Sequence, residues 1–167
     1  LEMKHNHIKI PQIWEEYLLH MSEFMCDCCG KYGETVVFGD NDEGKILDLS
    51  GEHFDHYRYV LDLMGNVLPK RYSKMENIHE NLCWILGEDS QGSVLQKKCY
   101  YSPEVKCYKE GGYTLWRSKN NKVLMGIDHA DLGFGSLAAH GHADALSFQL
   151  FIEGVPVFVD PGTYNYH

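Results

Sequence analysis

The sequence predicts an α+β chain in two parts, helices first and antiparallel strands after. Three observations predict it. Apolar residues recur at three- and four-residue spacing in the first half of the chain. After Gly92 the period drops to two. Turn residues then separate the apolar runs at hairpin distances. The change of period places the expected boundary near residue 90, with residues 1–90 helical and residues 91–167 stranded.

The first predicted helix covers residues 11–29. Pro11 suits a first turn, and Ile13, Trp14, Tyr17, Leu18, Met21, Phe24, Met25 and Cys28 form a stripe expected to face a core. Gly30 is its expected stop. The run Gly39-Asp40-Asn41-Asp42-Glu43-Gly44 that follows has calcium-loop composition but fails the spacing. Its glycine falls one position early, and Gly51 stands where the twelfth-position Glu belongs. A solvated turn is expected there. Residues 53–65 read as a second helix closed by Gly65, and residues 76–86 as a short third one ending at Gly87. Beyond Gly92, Tyr100-Tyr101, Val105, Tyr108, the stretch from Gly111 to Ser118, and Val123-Leu124-Met125 read as strands. Asn120-Asn121 is the expected hairpin turn.

Composition narrows the function classes. Hydrophobic residues make up 44% and charged residues 23%, an ordinary globular balance. Aromatic residues reach 13%, with 11 Tyr, which suits sugar rings but is read first as β-core content. Fifteen basic against 24 acidic residues give a net charge of −9, which argues against a nucleic-acid partner. It also supplies no general attraction for an anionic sugar, so any basic groups serving one must be local or lie outside this chain. No apolar run approaches the ~20 residues of a membrane span, and no signal peptide is visible. The chain starts at Leu1 rather than Met, so the natural N-terminus is expected upstream. Cys26 and Cys29 form a lone C-x-x-C around Cys28. Without a second such pair a zinc knuckle is poorly supported, and Cys26, Cys28, Cys29, Cys83, Cys99 and Cys107 are read first as ordinary thiols, while their even count permits disulfides.

The chemistry concentrates in residues 138–160. Leu146, Phe148, Leu150 and Ile152 alternate with Ser147, Gln149, Phe151 and Glu153, a strand with one apolar face. Glu153-Gly154 supplies a two-residue turn, and Val155, Val157 and Val159 continue the apolar face on the return strand. Pairing Ile152 with Val155 sets Phe148 opposite Val159 and Ser147 opposite Asp160. Asp160 then lies on the polar face at the open end of the hairpin. His140-Gly141-His142-Ala143-Asp144 enters at that same end, and the small neighbours leave room for a ligand or a metal. Pro161-Gly162 bends the chain away. A structural reading stands beside this one: histidines also stabilise loop–strand junctions, and Asp160 before Pro161 can serve a turn.

The string His140-Gly141-His142-Ala143-Asp144-Ala145-Leu146-Ser147-Phe148, with Val159-Asp160-Pro161-Gly162-Thr163-Tyr164 after it, resembles the C-terminal signature of heparinase II/III-like proteins. Gly111-Gly112-Tyr113 and Trp116-Arg117-Ser118 look like that family's entry into its sheet domain. The resemblance is specific over the last thirty or so positions and loose before residue 90. It implies that residues 1–90 are the last helices of an incomplete (α/α) toroid and that residues 91–167 begin an antiparallel β-sandwich. It implies a lyase that cleaves a uronic-acid-containing polysaccharide, heparan-type or related, by β-elimination. His140 matches the catalytic histidine. His142 and Asp160 match two ligands of a structural zinc site, whose third ligand falls beyond His167. The family's catalytic tyrosine falls before this chain begins, and Tyr164 and Tyr166 are not given that role. An anionic polysaccharide is the implied partner, and a periplasmic or secreted location is implied as well. Two other classes stay open: a non-catalytic carbohydrate-binding or surface-polysaccharide assembly protein of the same fold, and a metal-dependent hydrolase that uses the same histidines and aspartate on an activated water.

Overall fold

The computed structural model describes residues 6–39, 56–67, 84–85, 104–131 and 145–162. Its named elements among the described residues are two helices, α1 (Gln12–Cys28) and α2 (His56–Val67), and a five-stranded antiparallel sheet. The strands are β1 (Val105–Tyr108), β2 (Tyr113–Arg117), β3 (Val123–Asp128), β4 (Phe148–Ile152) and β5 (Val155–Phe158). The chain is therefore α+β. It divides into two compact units, one of residues 1–26 with 45–100, the other of residues 27–44 with 101–167. No helix among the described residues is long and apolar enough to cross a membrane.

In the first unit, α1 follows Pro11, which has no N–H to leave unpaired and whose carbonyl is the first acceptor. Trp14 N donates to Pro11 O at 3.0 Å. The expected core-facing stripe is corrected in its first half. Ile13, Trp14, Tyr17 and Met21 are all more than half exposed, whereas Ser22 and Cys26 are buried. Ser22 tolerates this because its hydroxyl donates to Leu18 O at 2.7 Å. Cys26 is disulfide-bonded, which corrects its reading as a plain thiol. Cys28, Cys29 and Cys107 are thiols rather than half-cystines. α2 passes through Gly65 and ends at Val67, two residues later than expected, with Leu61 and Gly65 buried. The acidic turn from Asp40 on, Cys83, Cys99 and most of the third predicted helix lie outside the described residues.

The second unit is a meander in the order β1-β2-β3-β4-β5. Each turn follows from local chemistry. Between β1 and β2, the amides of Gly111 and Gly112 both reach Tyr108 O, at 3.1 and 2.8 Å. Gly112 has a φ of 76°, and a Cβ there would overlap the backbone of Ala130, so glycine is required twice over. Between β2 and β3, Asn121 takes a φ of 55°, as the predicted Asn120-Asn121 turn needs. Ser118 Oγ closes that turn by accepting from Val123 N at 3.0 Å. Between β4 and β5, Glu153 and Gly154 both have positive φ (50° and 82°), the paired signature of a tight hairpin turn.

One face of the sheet is covered by residues 27–39. Leu115, Arg117, Leu124, Gly126, Gln149 and Phe151 are buried on it, alternating along their strands as pleating demands. Val36, fully buried, sits over Gly126, where a Cβ would overlap it. Phe38 packs on Tyr113 with ring centroids 4.4 Å apart. The Gln149 carboxamide pairs with the backbone of Val37, accepting from its N at 3.3 Å and donating to its O. This corrects the expectation for β4: Gln149 and Phe151, read as the solvent side, are buried. Phe148 and Ile152, read as the apolar inner side, are 47% and 44% exposed. A glutamine can be buried here because both of its amide functions are satisfied.

Candidate functional site

Asp160 follows β5 at one end of the sheet. β4 starts and β5 finishes there, and the rings of Phe148 and Phe158 lie 5.2 Å apart. Ile152 pairs with Val155 as the turn predicts, but Leu150 pairs with Phe158, not with Val157. A bulge at Val157 has shifted the register by one. Pro156 is the local reason, since it has no N–H to give and prolines in sheets settle at bulges and edges. The uninterrupted register that set Ser147 opposite Asp160 is therefore corrected.

Asp160 is partly buried just beyond β5, and its Oδ1 accepts from Gly162 N at 2.8 Å. With Pro161 between them and Gly162 at a φ of 71°, this is an aspartate-closed turn. The turn role foreseen for Asp160 is present. A metal role is compatible with it: carboxylate oxygen is a proper zinc donor, and a backbone N–H on a carboxylate is the kind of outer contact that orients a ligand. His140, His142 and Asp144 lie outside the described residues, as do Tyr164 and Tyr166. Among the described residues, no group of three or more His, Cys, Asp or Glu is arranged to hold a metal.

The connection that carries the two histidines leaves β3 and enters β4 at this same end. Its roots are pinned. Asp128 N donates to Ser147 O at 2.9 Å, and His129 N to Gly112 O at 2.8 Å. The buried Asp128 carboxylate accepts from Ala130 N at 2.8 Å. The His129 ring places Nε2 3.0 Å from Thr114 Oγ1. His129 and Asp128 are not among the candidates that the sequence motif offers. A signal was there, since His129-Ala130-Asp131 repeats as His142-Ala143-Asp144. Leu146, at the other root, has a φ of 62° and a largely exposed side chain. That backbone conformation is uncommon for a bulky residue and costs roughly 1–2 kcal/mol.

A second polar group lies under the covered face. Asp27 Oδ2 accepts from Lys106 Nζ at 2.8 Å and from Tyr108 Oη at 2.6 Å. Arg117 Nη1 donates to Cys29 O at 3.0 Å, and its Nη2 to Asp27 O. Burial works against the Lys106 charge, but the Asp27 hydrogen bond and charge outweigh it and hold the ammonium above its ordinary range. Burial lowers Arg117, opposed chiefly by Asp27. A guanidinium nevertheless stays charged. The Cys28 thiol is pushed far up, first by burial and then by Cys29 and Asp27, so it is no nucleophile at neutral pH. These groups anchor residues 27–39 to the sheet by satisfying the carbonyls at the end of α1.

Residues 102–167 match the family described as Heparinase II/III-like, C-terminal. The matched span covers all five strands and every assigned residue, including His140, His142 and Asp160. No curated protein and no solved structure matches the chain.

Proposed function

Because residues 102–167 carry the match to a heparinase II/III-like C-terminal domain, we propose that the chain is part of a polysaccharide lyase. Its substrate is a uronic-acid-containing polysaccharide, cleaved by β-elimination. The family match is the single observation that carries the proposal. Residues 1–90 are then the last helices of an (α/α) toroid, and residues 91–167 the opening strands of a β-sandwich. The partner is an anionic polysaccharide, and the location is periplasmic or secreted.

The chemistry accounts for the residue types. The C5 proton of a uronate is weakly acidic, and its removal leaves charge on the adjacent carboxylate that must be neutralised. The C4–O bond then breaks, the leaving oxygen takes a proton, and a C4–C5 double bond remains. His140 is the residue of this chain assigned to the reacting centre, where an imidazole can move a proton or stabilise the developing charge. His142 and Asp160 are assigned to a zinc ion that would fasten the histidine segment to the β4–β5 hairpin.

The test uses the full-length protein with heparan-type, other glycosaminoglycan and alginate-like polymers. New ultraviolet absorbance from the unsaturated product is expected with one of them. Chain cleavage without that absorbance means hydrolysis, and binding without cleavage means a non-catalytic protein. Either result overturns the proposal. His140→Ala is expected to lower turnover on the order of 100- to 10,000-fold with the melting temperature kept. His142→Ala is expected to lose zinc or melting temperature first. Exchanged phenotypes would reassign the two histidines.

A further inference from the structure

We draw no further inference here: the strongest candidate, the outward apolar face of the sheet around Phe148, Ile152 and Val155, carries nothing, because nothing in the structure shows what covers it.

Discussion

The two faces of the sheet invert the usual association of polarity with exposure. The covered face buries an arginine, a glutamine and an aspartate (Arg117, Gln149 and Asp128) among Leu115, Leu124 and Phe151. The outward face is apolar at Val105, Phe148, Ile152 and Val155, and these four side chains are 44–63% exposed. The difference is one of partners. Each buried polar group meets a specific backbone group: carbonyls for Arg117, the Val37 peptide for Gln149, and the Ala130 amide for Asp128. Burial costs little when every donor and acceptor is met. Side-chain polarity alone therefore does not say which way a strand faces.

The largest expected effect comes from removing the most demanding partner. Arg117→Ala leaves the carbonyls of Asp27 and Cys29 without their guanidinium donor, and charge-assisted hydrogen bonds contribute roughly 1.5–3 kcal/mol each. A loss of about 3 kcal/mol in denaturant unfolding of the full-length protein is expected. A loss below about 1 kcal/mol would mean that the covered face does not depend on this anchor.

Next comes shape. Gly126→Ala puts a methyl group into Val36 and should cost about 1–3 kcal/mol by overpacking. Val36→Ala on the same background should recover part of that cost, because the two sites share one contact. Strictly additive losses in the double-mutant cycle would separate the strand from the segment above it.

Ionisation of the covered side gives the third test. Burial raises the Cys28 thiol from the ordinary 9.0, so the unfolded chain ionises first as pH rises. The stability linked to this thiol is fully present below pH 9 and is lost as pH climbs toward the raised native value. The slope approaches about 1.4 kcal/mol per pH unit above 9. Cys28→Ala should flatten that part of the melting-temperature profile. In the native protein, alkylation should reach the exposed Cys107 well before the buried Cys28. An unchanged profile in Cys28→Ala would remove the thiol from the account.

The smallest effect belongs to the outward face. Phe148→Ser and Ile152→Thr should shift stability by no more than about 0.5 kcal/mol, as for other exposed positions. They should also raise the soluble fraction, because contiguous exposed apolar surface promotes association. A cost above 2 kcal/mol in the full-length protein would show that this face is packed there, and the contrast between the faces would disappear.

What could be read from the sequence follows the range of the interaction. The turns at Asn120-Asn121 and Glu153-Gly154 were legible because positive φ is demanded and supplied within two residues. The Asp160 turn was legible for the same reason. α1 ends at Cys28, ahead of the expected stop at Gly30, because Cys29 already bridges Thr35; Gly30 is not a left-handed cap, and a Cβ there would overlap the Glu34 side chain. The orientation of β4 was not legible, because it is decided by Val37, 112 positions from Gln149. The bulge at Val157 was hinted at only by Pro156 beside it. At the candidate site, Asp160 could be placed from local chemistry, whereas the roles of His140 and His142 rest on motif resemblance and on the family match.

That bulge also bears on how copies of the chain can meet. β5 closes the described sheet with a proline and an extra residue inside four positions. Pro156 offers no N–H to a further strand, and the bulge breaks the even spacing that an added strand would need. Growth of a ribbon strand by strand is disfavoured on this side of the described sheet, however sticky the apolar surface beside it. Precipitates that start here are expected to be amorphous and poor in cross-β order, because their contacts run through side chains and not through a propagating backbone ladder.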